Sequence, residues 1–305
     1  MRKLSWIAAA FALIVPFRTA SAETATMVGS DTCIACHSEQ TATYNSSRHA
    51  KTLPIEKDAN AAKTCESCHG AGSLHAAAAG DKTNAGFATI KNPKTLSAGE
   101  VSATCLQCHK KGKQAHWSGS KHDTNGVSCA SCHSIHAGYD KQLVKANASD
   151  VCFQCHKDVK AQISRASHHP IKEGKVSCGD CHNPHGTPNG KLLVESTVNE
   201  TCFKCHAEKR GPMLWEHRPV SESCTICHTP HGSNHGKLLA KKQPFLCQSC
   251  HSNSRHPGTL YALNPATVGS NTYQKSSSRA FYRACLNCHQ NIHGSNHPSG
   301  KRFLR

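Results

Sequence analysis

The chain has 305 residues, with 36 Lys or Arg against 19 Asp or Glu for a formal charge of +17, and it carries 20 Cys and 24 His. Aromatic residues are only 5% of it, too few for an ordinary side-chain core in a chain this long. Past the N-terminus no stretch is apolar enough to cross a bilayer as a helix. The charge alone fits a nucleic-acid or acidic membrane partner, and the cysteine pattern argues against that reading.

Arg2 and Lys3 precede an apolar run from Leu4 to Phe17, and Ala20-Ser21-Ala22 offers a small-residue cleavage site, so residues 1–22 read as a secretory signal peptide. The run is short of the ~20 residues a membrane span needs. Cleavage takes Arg2, Lys3 and Arg18 away and leaves a formal charge of +14.

From there the chain reads as ten Cys-x-x-Cys-His motifs. Their cysteines are Cys33 and Cys36, Cys65 and Cys68, Cys105 and Cys108, Cys129 and Cys132, Cys152 and Cys155, Cys178 and Cys181, Cys202 and Cys205, Cys224 and Cys227, Cys247 and Cys250, and Cys285 and Cys288. Their histidines are His37, His69, His109, His133, His156, His182, His206, His228, His251 and His289. All 20 cysteines are consumed. The motif is the attachment signature of c-type haem. A disulfide framework has no need of a histidine after each pair, and structural zinc needs two half-sites at recurrent spacing. The secretory address agrees, because thioether attachment takes place outside the bacterial cytoplasm. Ten covalently bound haem c groups are therefore expected.

Haem also changes the charge reading. Twenty propionates and one positive charge per ferric centre bring the mature holoprotein to about +4 oxidised and about −6 reduced. The basic residues become propionate partners, and no nucleic acid is implied. With about 28 residues per haem, porphyrin must supply most of the buried apolar surface, so the haem-free chain should be largely unfolded.

The motifs group into five two-haem units, about 23–80, 95–140, 145–193, 195–239 and 243–305, within one elongated haem-cored domain over 23–305. The stretch Cys178–Leu193 is nearly repeated as Cys224–Leu239, down to Pro-His-Gly and Gly-Lys-Leu-Leu. Val151-Cys-Phe-Gln-Cys-His156 echoes Thr201-Cys-Phe-Lys-Cys-His206. Repeats that stack on their neighbours give quasi-one-dimensional structures. Gly, Pro, Asn and Ser punctuate the intervals, which predicts short α-helices, loops and very little β-structure. Each motif should begin or sit on a brief helix, and Ala76–Ala79 can form one turn. The interval between His251 and Cys285 holds Tyr261, Tyr273, Phe281 and Tyr282 and is either a surface loop or a contact for a partner protein.

The motif histidines supply one axial ligand each, and fourteen more remain. Met27 and Met213 are the mature methionines, so Met/His ligation cannot be general. Just downstream of second motifs stand His75, His136, His185, His231 and His293. Upstream, Ser-x-His recurs at His49, His122, His169 and His256, with Trp215-Glu216-His217 in the remaining place. These ten are the expected second ligands; His116, His168, His235 and His297 are set aside as surface or propionate-bonding residues. The expected wiring keeps ligands inside a unit. The upstream His binds its unit's second haem, and the downstream His reaches back to its first, so that His185 serves the Cys152/Cys155 haem. Bis-histidine iron has no open position, which favours electron transfer over catalysis.

Ten motifs in this order, the repeated Cys-His-x-Pro-His-Gly units, and the ending Asn291-Ile-His-Gly-Ser-Asn-His-Pro-Ser-Gly300 resemble the MtrA/DmsE family of decahaem c-type cytochromes. The resemblance implies a periplasmic, outer-membrane-associated electron conduit inserted into an outer-membrane β-barrel porin. Its donor would be a periplasmic or inner-membrane cytochrome. Its partner outside would be an outer-surface multihaem cytochrome or terminal reductase, for respiration on metal oxides or dimethyl sulfoxide. Two other readings stay open: a soluble periplasmic shuttle or store, and a multihaem oxidoreductase such as a nitrite reductase, which needs a five-coordinate haem.

Overall fold

The computed structural model describes residues 23–53, 64–136, 148–251 and 284–304. The signal peptide and the aromatic interval before Cys285 lie outside them. Among the described residues the chain is helix, turn and loop, with isolated antiparallel bridges in place of strands. The helices are short: Ala98–Leu106, at nine residues, is the longest.

Local sequence explains where they begin. Ser97 accepts from the Glu100 N–H while Glu100 accepts from the Ser97 N–H, a capping box that starts Ala98–Leu106 and delivers Cys105 in its last turn. Thr197 caps Val198–Phe203 and delivers Cys202 in the same way. Second motifs from Cys129 onward are built differently, because the helix opens on the first cysteine. Cys129–Cys132 follows Ser128, Cys178–Cys181 follows Ser177, and the 3₁₀ turn Cys224–Ile226 follows Ser223. In both kinds the motif histidine N–H donates to the first cysteine's carbonyl, at 2.9 Å in His133 and 3.0 Å in His109. That bond closes the loop that presents two thiols and one imidazole on the same side. The expectation that each motif begins or sits on a brief helix is met, while the turn expected over Ala76–Ala79 is displaced toward the N-terminus, the helix there running Ser73–Ala77.

Contacts divide the chain into two units. One holds the described residues up to Thr41 together with Thr52–Asn92; the other holds Ala42–Lys51 and everything from Pro93. In the first, the buried Glu66 carboxylate accepts from the N–H groups of Val28, Gly29 and Gly72. Three charge-assisted bonds compensate its desolvation and pin the N-terminal segment against the second motif.

Side chains alone make little core. The buried apolar residues described are Tyr44, Ala78, Val101, Trp117, Ile163, Ile171 and Phe303. Seven such residues cannot supply the burial a chain of this size requires, and this matches the composition.

Candidate metal centres

Eight of the ten motif histidines face a second imidazole among the described residues. His37 faces His75 with ring centroids 6.3 Å apart, and His109 faces His49 at 5.9 Å. His133 faces His185 at 5.9 Å, His156 faces His122 at 6.2 Å, and His182 faces His231 at 6.2 Å. His206 faces His169 at 6.4 Å, His228 faces His293 at 6.1 Å, and His251 faces His217 at 6.1 Å. Two imidazoles binding one metal from opposite sides, each nitrogen about 2.0–2.1 Å from it and each ring centre about 1.1 Å further, would have centroids about 6 Å apart. The eight gaps fit an iron with two axial histidines. The rings come in twos, and no group of three or more His, Cys, Asp or Glu side chains gathers as a metal site among the described residues. The remaining coordination positions therefore suit a macrocycle, and the two thiols beside each pair suit its covalent attachment.

Hydrogen bonding fixes the tautomer that ligation needs. A carbonyl can only accept, so a ring whose Nδ1 bonds to one must carry its proton there and leave Nε2 free. His69, His182 and His228 donate from Nδ1 to the carbonyls of Lys91 (2.7 Å), Lys191 (2.9 Å) and Lys237 (2.8 Å), and His289 donates to that of Arg302. Among the facing rings, His75 donates to Phe87, His122 to Pro184 and His169 to Pro230, at 2.7–2.8 Å. His217 Nδ1 is buried and turned toward the Ile292 carbonyl, the equivalent of Pro184 and Pro230, without full hydrogen-bond geometry. Burial holds His49, His185, His217, His231 and His293 below the ordinary histidine pKa. The imidazole opposite is the next cause for all but His293, where Lys209 comes before His228. A neutral ring is the ligating form.

The carbonyls at Lys191 and Lys237 belong to the Gly-Lys-Leu-Leu segments, whose repetition was visible in the sequence but whose task was not. Lys191 and Leu192, like Lys237 and Leu238, have φ between 56° and 58°. Two successive left-handed non-glycine residues are costly, and here they return the chain to its own motif. Asn183 N–H donates to Leu192 and Thr229 N–H to Leu238 (2.9 and 2.7 Å). The work is done by main chain, so no residue type announces it.

The pairing corrects the expected wiring. His185 lies against His133 of the preceding unit, not His156; His122 lies against His156 of the following unit, not His133. The same displacement by one unit holds for His49, His169, His217, His231 and His293. Chain geometry accounts for it. Val127 N–H donates to the His122 carbonyl (3.0 Å), so the link from His122 to Cys129 doubles back and cannot carry the ring across its own unit's second site. His75 does reach back to His37 as expected, in the one unit that has none before it. His136 lies 6.1 Å from the Tyr44 ring, and His256 is outside the described residues.

The loops that deliver His231 and His293 dock on the preceding unit through paired main-chain bonds. Ser233 and Ser167 exchange both main-chain hydrogen bonds (3.0 and 2.8 Å), as do Ser295 and Trp215 (2.9 Å each). These partners, Ser167 and Trp215, stand two residues before His169 and His217. His168 is engaged elsewhere: Nδ1 with the Arg165 carbonyl and Nε2 with Glu173 (3.2 Å), and the Glu173 hydrogen bond raises its pKa.

Thiol contacts order the sites. The thiols of Cys33 and Cys65, Cys105 and Cys129, Cys152 and Cys178, Cys202 and Cys224, and Cys247 and Cys285 lie close enough to perturb one another's ionisation. Between these pairs, Cys132 is near enough to Cys152 to interact electrostatically, Cys181 to Cys202 and Cys205, and Cys227 to Cys247 and Cys250. In the larger unit the attachment sites thus neighbour one another in chain order from Cys105 to Cys285.

The doubled CXXCH motif family matches residues 122–161, 168–211 and 217–256. Each match encloses an upstream ring and the motif it faces, His122 with His156, His169 with His206 and His217 with His251, so its frame is offset by one motif from the units read in the sequence. The chain is similar to multihaem cytochrome MtrA of Shewanella baltica (strain OS185), 41% identical over 279 residues that cover 91% of this chain and 81% of that protein. It is also similar to cytochrome c-type protein NrfB of Escherichia coli O6:H1 (strain CFT073), 30% identical over 132 residues, which cover 41% of this chain and 64% of that protein.

Proposed function

The chain belongs to the MtrA family of multihaem cytochromes, and on that premise we propose that it is a bis-histidine decahaem conduit carrying electrons between the periplasm and the outer cell surface. Haem c, when bound, supplies one-electron iron chemistry whose potential follows its ligands and burial. At the eight facing pairs the chain's own histidines would supply both protein ligands to that iron, and main-chain carbonyls fix the tautomer of several of them. Iron held from both sides would have no open position for a substrate. The reading rests most on one observation, the eight motif histidines that each face a second imidazole with ring centroids 5.9–6.4 Å apart.

No described helix is long and apolar enough to cross a membrane. A chain of this kind can pass electrons through a bilayer about 40–45 Å thick only inside a protein sheath. The proposed partner is an outer-membrane β-barrel porin, with a periplasmic or inner-membrane cytochrome on one side and an outer-surface multihaem cytochrome or reductase on the other. Extracellular metal oxides or dimethyl sulfoxide are the proposed acceptors. Purification from outer membranes should bring down a barrel protein with this chain, and intact membranes should protect it from added protease. Recovery of all of it in the soluble periplasmic fraction would instead make it a diffusing shuttle. Ten haems per chain by mass, and no high-spin signal, are expected of the purified protein; carbon monoxide binding at wild-type iron would revive an enzymatic role.

A further inference from the structure

The eight facing pairs differ in the angle between their ring planes. It is 75° for both His49–His109 and His122–His156, and 52° for His169–His206. It is 15° for both His133–His185 and His228–His293, 18° for His217–His251, 21° for His37–His75 and 40° for His182–His231. The wide angles belong to rings supplied from upstream. Two of these, His122 and His169, are turned by donation to Pro184 and Pro230, while the next residue of each loop, His185 or His231, enters the neighbouring site. His217 is the upstream ring that departs from this. Isoleucine replaces proline beside it, its Nδ1 makes no full hydrogen bond, and the Phe303 ring packs against it at 5.5 Å and 64°.

We propose that these angles divide the irons into two electronic classes interleaved along the chain, with the Pro184 and Pro230 carbonyls and the Phe303 ring as the positioning groups. The proposal rests on the bis-histidine reading above. Low-spin ferric iron has five electrons in its three lower d orbitals, which leaves one hole there, and each imidazole π system raises the d orbital perpendicular to its own plane. Parallel rings raise the same orbital, which isolates the hole and stabilises the ferric form. Crossed rings raise both orbitals alike, which leaves them nearly degenerate, the magnetic response strongly anisotropic and the potential higher. The Cys105/Cys108, Cys152/Cys155 and Cys202/Cys205 sites take the higher-potential role. They alternate with Cys129/Cys132, Cys178/Cys181 and Cys224/Cys227, of which the second, at 40°, is the least parallel.

Frozen-solution electron paramagnetic resonance of the oxidised full-length holoprotein tests this without any substitution. Both a strongly anisotropic, near-axial low-spin signal and a rhombic one are expected. Rhombic signals alone would overturn the two classes while leaving bis-histidine ligation intact; a dominant high-spin signal would sink the ligation reading and the proposal with it. Phe303→Ala should convert one haem from rhombic to near-axial and raise one potential, since the main-chain bonds at Arg302 and Phe303 do not need the side chain. Phe303→Tyr should keep the wild-type spectrum. A Phe303→Ala protein with all its low-spin haems and an unchanged spectrum would remove Phe303 from the account.

Discussion

At the scale of single residues, Pro184 and His185 are adjacent yet serve different ring pairs. His185 faces His133, and the Pro184 carbonyl orients His122, which faces His156. Substituting His185 with Met should therefore act first on the Cys129/Cys132 haem and raise its potential. Redox titration in two backgrounds checks the assignment. With Cys129 and Cys132 both replaced by Ala the His185→Met effect should vanish, and with Cys152 and Cys155 replaced it should persist, by the logic of a double-mutant cycle. The two adjacent histidines give a second case. His168→Gln breaks an exposed pairing with Glu173 and should leave the visible spectrum unchanged, whereas His169→Gln should open the Cys202/Cys205 haem to carbon monoxide. Which histidines face the motif rings was legible in the sequence, because Ser-x-His recurs at His49, His122 and His169, Pro-His-Gly recurs at His185 and His231, and His75, His217 and His293 stand in the matching places of their own units. Which motif ring each one faces was not. Spacing along the chain gives the separation of two residues but not the side of a macrocycle on which the chain emerges, and the turn from His122 to Val127 settled that by a main-chain bond.

At the scale of the element, the Pro-His-Gly loop is a docking device as much as a ligand carrier. A Cβ on Gly232 would stand 2.0 Å from the Gln162 carbonyl oxygen, and one on Gly186 would stand 2.1 Å from that of His116. The glycine is required by close approach of two backbones, and Gly186 also has φ 109°. Gly232→Ala, where φ is unexceptional, should cost about 1–3 kcal/mol through overpacking. It should also loosen His231, giving a lower melting temperature and partial carbon monoxide binding at the Cys178/Cys181 haem. Gly236→Ala is the control. Nothing lies within 4 Å of its Cβ, and neither the melting temperature nor the spectrum should change. The brief helices themselves were legible, because Ser97, Glu100 and Thr197 are ordinary capping residues. The return segment Gly190–Leu193 was legible as a repeat but silent as to purpose, since it contributes a carbonyl and a pair of left-handed residues and no reactive side chain.

At the scale of the molecule, the ring pairs in the larger unit make each site depend on sequence from beyond its own unit. The second site of one unit is completed by the loop of the next, and the first site of the next by the upstream ring of the one before. No cut between units is clean. A chain ending at Lys242 keeps eight attachment motifs but loses His293, the ring opposite His228. Exactly that haem, at Cys224 and Cys227, should become five-coordinate and bind one carbon monoxide per chain. The full-length His293→Ala protein should bind one at the same place, which separates loss of the ligand from any wider effect of shortening. Had ligands stayed within units, the shortened chain would have kept both rings at every remaining haem and bound none. The same interlocking connects assembly to conduction. On the proposed bis-histidine reading, a unit whose neighbour had not folded would hold an open iron, reactive toward small ligands, and would close it when the next loop docked. The succession that lets electrons pass from site to site is thus built from contacts that also report, site by site, whether the following part of the chain is in place.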